Sequence, residues 1–131
     1  DIYNNGDMRR DFTYVDDLVA GIAALIDKAP AQVGSDARAA SDVDSLSKVA
    51  PWRAVNIGNG SPVPLMEFVD AIEQALGLEA QKNFMPMQPG DVPATWAEAQ
   101  LLTDLTGSCP KTSVQDGVKA FVAWYRSYYE V

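Results

Sequence analysis

Apolar residues at helical spacing constrain this chain most. Val15, Leu18, Val19, Ile22, Leu25 and Ile26 fall on one face of a helix, with Asp16, Asp17 and Asp27 on the other. Acidic residues in the first turn suit the positive end of the helix dipole. Thr13 followed by Asp16 reads as a capping box with Asp in the Glu position, and Pro30 is the stop. The same period returns over 65–76, with Phe68, Val69, Ile72, Ala75 and Leu76 inward, Pro64 as the first helical residue and Gly77 as a left-handed cap. It returns over 94–106, capped by Gly107. It returns once more from Ser113, where Asp116 stands at capping-box spacing and Val114, Val118, Phe121, Val122 and Tyr125 face inward. Only short extended pieces separate these helices: 1–6 running into an Asn-Asn-Gly turn, 10–13, 52–58 with Val55 and Ile57 as its apolar side, and 83–87. Several helices with short strands place the chain in the α/β class.

Residues 29–51 are a different material. They are rich in Ala, Ser and Asp and poor in large apolar side chains. Such a stretch buries too little surface to offset the entropy of ordering it. A disordered surface loop inserted into a single 1–131 unit is the expectation. The chain opens on Asp1 and passes directly into Ile2 and Tyr3, which reads as a boundary within a longer protein.

Charge and composition exclude several functions. The formal net charge is −8, which repels the phosphates of nucleic acid. The close basic pair Arg9-Arg10 suits one small anion better than a polymer. No apolar run approaches the roughly 18 residues that span a membrane, and no signal peptide is visible. A single cysteine, Cys109, permits no internal disulfide and fits a reducing cytosol. With no histidine, triads and imidazole metal sites are excluded, and no cysteine cluster exists to replace them.

Four features can carry chemistry. Gly58-Asn59-Gly60 lies between a strand and a helix, as a dinucleotide-binding loop does, but Val63 stands where that fingerprint has its third glycine. A tight turn is the simpler reading. In Arg9-Arg10-Asp11-Phe12-Thr13-Tyr14-Val15-Asp16-Asp17, an arginine on a strand before a helix can fork two donors onto phosphate oxygens, with Asp11 holding the guanidinium; a surface arginine paired with its neighbouring aspartate is the alternative. In Gln88-Pro89-Gly90-Asp91-Val92, a rigid turn presents Asp91, either to vicinal ribose hydroxyls or as the cap of the next helix. Trp124, Tyr125, Tyr128 and Tyr129 at helical spacing read as packing.

Taken in order, Arg9 to Asp17, Val55-Asn56-Ile57-Gly58-Asn59, Gln88 to Val92 and Trp124-Tyr125 resemble the extended short-chain dehydrogenase/reductases that act on nucleotide sugars, most of all the bacterial UDP-glucuronate 4-epimerases. The resemblance covers nearly the whole chain outside 29–51. It implies the C-terminal, substrate-binding region of such an enzyme, with the Rossmann core, and hence NAD, in a missing N-terminal domain. The 55–57 strand then belongs to the Rossmann sheet. Tyr3 falls where relatives hold the uracil, Arg10 where they bind the pyrophosphate and Asp91 where they hold the ribose. Gln88 falls where UDP-galactose 4-epimerases carry a second pyrophosphate arginine.

The reaction the resemblance implies is redox-neutral. A tyrosine activated by a lysine four positions later removes the proton of the sugar 4-OH, hydride passes from C4 to NAD, and it returns to the other face. Tyr3 leads to Asp7, Tyr14 to Leu18 and Tyr125 to Tyr129, so no such dyad exists here. No residue of this chain is assigned a catalytic, cofactor-binding or metal-binding role, and the chain alone is expected to be inactive. A related dehydratase, decarboxylase or UDP-galactose 4-epimerase, or a non-catalytic binding module, fits the same residues. A UDP-sugar, the missing domain and a homodimer are the expected partners, and the cytoplasm the expected location.

Overall fold

The computed structural model describes residues 1–30 and 42–131. Residues 31–41, within the stretch expected to be disordered, lie outside the described residues. The chain forms strand β1 (Arg9–Arg10), helix α1 (Val15–Leu25), strand β2 (Val63–Pro64), helix α2 (Leu65–Leu76), strand β3 (Ala94–Thr95), helix α3 (Gln100–Thr106) and helix α4 (Val114–Tyr129). The sheet order is β2-β1-β3. β1 runs antiparallel to β2, with Arg9 opposite Pro64, and parallel to β3, with Arg10 opposite Thr95.

The first residues do not extend into a strand. Ile2 makes a single parallel bridge to Phe84, and Tyr3–Gly6 then turn as a 3-10 helix in which Asn4 and Asn5 have φ of 49° and 51°. Asparagine tolerates that left-handed region better than most residues, so the Asn-Asn-Gly sequence closes the turn at once. Asn4 Nδ2 donates to the carbonyl of Asp7 at 2.6 Å.

The main core lies between α2 and α4. Ala71, Val114, Val118 and Val122 are buried there, with Phe12, Phe68, Ile72 and Leu76 packed against them. Phe12 and Phe68 stack with centroids 4.1 Å apart. α4 begins as its sequence requires: the Ser113 hydroxyl accepts from the amide of Asp116 at 3.1 Å. α2 ends as expected at Gly77, with φ 69°. Phe121 and Tyr125, expected inward, are exposed along an apolar groove of about 650 Å³ between α2 and α4.

α1 departs most from expectation. Its helical period is present, yet Val19, Ile22 and Ile26 are 56 %, 52 % and 73 % exposed. The helix packs within this chain through Gly21, where a Cβ would lie 3.2 Å from Ile57 and 3.7 Å from the buried Leu102. Much of the remaining apolar face is exposed among the described residues, although Leu25 is half-buried. The capping box is also absent: Tyr14 is the N-cap, and no side chain caps that end.

Two further boundaries move. The 52–58 segment joins no sheet among the described residues. It is held instead by the Ser45 hydroxyl, which bonds both the amide and the carbonyl of Ala54, and by Asn56 Nδ2 donating to the carbonyl of Glu98 at 3.1 Å. The helix expected over 94–106 starts only at Gln100. Ala94 and Thr95 are drawn into the ladder with β1, because the β1 backbone offers partners that helix formation would leave unused.

Candidate nucleotide-sugar site

Two stretches run side by side. The Ile2 amide donates to the carbonyl of Asn83 at 2.7 Å and the Met85 amide to that of Ile2 at 2.8 Å. Further on, Arg9 donates to Pro93 at 2.8 Å and Asp11 to Thr95 at 3.1 Å. The N-terminal segment therefore lies along 83–95, and the Gln88–Asp91 turn is the excursion between the two points of contact. Tyr3 follows the first of those points and Arg10 lies at the second, while Gln88 and Asp91 sit on the excursion.

Arg10 is half-buried on the central strand. Its Nη1 donates to the carbonyls of Arg9 at 2.8 Å and Pro93 at 3.3 Å, which places the guanidinium at the base of the Gln88–Asp91 turn. Among the described residues no carboxylate is within ion-pair distance of it; the ion pairs formed there are Arg53 with Asp44 and Lys82 with Glu73. Most donors of the guanidinium remain available to a ligand.

Asp11 does not hold the guanidinium, contrary to both sequence readings. Its Oδ2 accepts from the amides of Gly60 and Ala97, each at 3.0 Å. Its Oδ1 is buried without a partner among the described residues. This junction also explains Gly58-Asn59-Gly60. A Cβ on Gly58 would lie 2.5 Å from the Ala97 Cβ and 2.9 Å from Asp11 Oδ2, and Gly60 has φ 69°. The two glycines serve close packing and a left-handed turn. They offer no free phosphate cradle, and the residues of this chain do not fit a dinucleotide there.

Asp91 is exposed, and its amide closes the turn onto the carbonyl of Gln88 at 3.2 Å. It caps no helix, since the next helix has Ala99 as its N-cap, so the capping alternative is set aside. Gln88 is exposed and Tyr3 half-buried.

Tyr14 and Asp17, at either end of the first turn of α1, have shifted acidity. Burial pushes the Tyr14 phenol up, and the negative charge of Asp16 pushes it the same way. A tyrosine base needs the reverse, so Tyr14 is unsuited to deprotonate a hydroxyl. The Asp17 carboxyl is held below its usual range, first by the Thr112 backbone N–H and also by that of Lys111, at 2.8 and 3.0 Å. That bond ties α1 to the start of α4. Sequence reasoning missed the latch roles of Asp11 and Asp17, because their partners lie far along the chain.

No family model matches the chain. Curated relatives do. Protein CapI of Staphylococcus aureus is 52 % identical over 130 residues, covering 99 % of this chain and 38 % of that protein. A probable UDP-glucuronate 4-epimerase of Rhizobium meliloti is 49 % identical over 129 residues, covering 98 % and 38 %. Among solved structures, UDP-glucuronic acid 4-epimerase of Bacillus cereus in complex with UDP-glucuronic acid and NAD superposes with a TM-score of 0.70 at 25 % identity, over 98 % of this chain and 35 % of that one. The chain spans little more than a third of the length of these proteins. With helices and short strands arranged as in the C-terminal region of such enzymes, and with homology along nearly all its length, the chain belongs with the extended short-chain dehydrogenase/reductase nucleotide-sugar epimerases, as a counterpart of their C-terminal region.

Proposed function

We propose that this chain is the part of a cytoplasmic, NAD-dependent UDP-glucuronate 4-epimerase that grips the nucleotide sugar. In this reading Arg10 neutralises the diphosphate, Tyr3 lies against the uracil, Asp91 accepts from the ribose hydroxyls and Gln88 adds a neutral contact from the turn. The observation that carries it is the position of Arg10, a cation with no carboxylate partner among the described residues, set on the central strand at the base of the Gln88–Asp91 turn. A guanidinium in that setting makes charge-assisted, forked bonds to phosphate oxygens.

NAD, when bound by the rest of the enzyme, supplies the redox chemistry at C4. The residues of this chain bind and orient the substrate. None of its tyrosines is followed by a lysine at the fourth position, so the chain alone is inactive in this reading.

The assignment of the reaction is tested by incubating the parent enzyme with UDP-glucuronate and following UDP-galacturonate by proton NMR. The grip is tested by calorimetric titration of this chain with UDP. Arg10→Ala weakens binding by about tenfold to a hundredfold, the equivalent of one charge-assisted contact. Identical titrations of wild type and variant rule out the role given to Arg10.

A further inference from the structure

Arg10 and Asp11 are adjacent in sequence, yet they do different work. Arg10 ends β1 and Asp11 follows it with its amide still bonded to the Thr95 carbonyl, and an extended run of this kind turns successive side chains apart. The contacts agree with that geometry. Arg10 reaches the carbonyl of Pro93, whereas Asp11 reaches the amides of Gly60 and Ala97, 49 and 86 residues away along the chain. Pro93 and Ala97 flank β3, so the two side chains pin the parallel pairing of β1 and β3 at either end.

We propose that Asp11 is a positioning residue for Arg10, an inference that rests on the diphosphate reading for its functional meaning. Its carboxylate fixes β1 onto the 58–60 loop and onto Ala97 from the face opposite the guanidinium. That fixes the backbone from which Arg10 projects and leaves the cation un-neutralised. Three features of the sequence serve this junction. Gly58 has no Cβ to strike the carboxylate, Gly60 turns its amide toward it through a positive φ, and Ala97 is small enough to lie against Gly58. A carboxylate strengthens both N–H bonds relative to a neutral acceptor. Its second oxygen is left buried and unpaired, a cost that surface placement would avoid.

The test uses nitrogen-15 NMR of the chain with Asp11→Ala, Asp11→Asn and Arg10→Ala. In Asp11→Ala the Gly60 and Ala97 amides lose hydrogen-exchange protection and the Arg10 side-chain resonances shift, while α2 and α4 amides stay protected. UDP affinity then falls about tenfold. Asp11→Asn keeps an oxygen for both amides and restores the Arg10 resonances and most of the affinity. If the Arg10 resonances are unmoved in Asp11→Ala, the positioning role is overturned, whatever happens to UDP. If they move but neither wild type nor variants bind UDP, the positioning role stands and the diphosphate reading falls.

Discussion

Gly58→Ala is the sharpest test of the junction around Asp11. A Cβ at residue 58 stands 2.5 Å from the Ala97 Cβ and 2.9 Å from Asp11 Oδ2, where real Cβ contacts essentially never fall below 3.0 Å. Neither obstacle yields easily. One is bonded to backbone, and the other is a carboxylate held by two amides. The 58–60 loop must therefore move off Ala97 and stretch the Gly60 bond to Asp11. Overpacking of this kind costs about 1–3 kcal/mol. For a domain of this size that lowers Tm by about 4 °C for each kcal/mol. Thermal unfolding followed by circular dichroism at fixed protein concentration reads the loss. Ala97→Gly removes the nearer obstacle, so Gly58→Ala should cost less in that background, with a coupling of about 0.5–3 kcal/mol. A Gly58→Ala chain that melts with wild type, or that loses the same amount in both backgrounds, refutes the close approach and the latch built on it.

Ser113→Ala removes the hydroxyl that accepts from the Asp116 amide and is expected to destabilise the chain by about 1 kcal/mol, read as a lower urea midpoint with an unchanged slope. Asp17 gives a pH dependence. Its folded carboxyl is depressed by the Thr112 and Lys111 amides, so its contribution is complete above the ordinary value of 3.8 and is lost as pH falls through the lower folded value. Asp17→Asn should reduce stability at neutral pH and flatten its fall in acid, and parallel acid-unfolding curves for the two proteins would contradict this.

Local chemistry was readable where it acts over short range. Gly77 and Gly107 end helices with φ near 70°, Ser113 caps α4, and Gln88-Pro89-Gly90-Asp91 turns, all from residue type and spacing. Long-range pairing was not readable. Nothing in 94–97 announces that its backbone would leave a helix to pair with Arg9 and Arg10, and nothing in Asp11 says that its partners are Gly60 and Ala97. The period of α1 was read correctly as amphipathic, but periodicity reports that a face wants burial, not what buries it. For the site, sequence supplied the candidates Tyr3, Arg10, Gln88 and Asp91, and the parallel run of 2–11 along 83–97 brings their segments together.

The wetted face of α1 also shapes how the chain responds to temperature. Val15, Val19, Ile22 and Ile26 are already more than half exposed in the folded state, so unfolding hydrates only the remainder of each. The heat-capacity increment of unfolding scales with newly hydrated apolar area, so this face contributes less to it than a covered helix face does. A smaller increment flattens the curve of stability against temperature: cooling weakens such a fold less, and its enthalpy of unfolding changes more slowly, than in a domain of equal length whose helices are all covered.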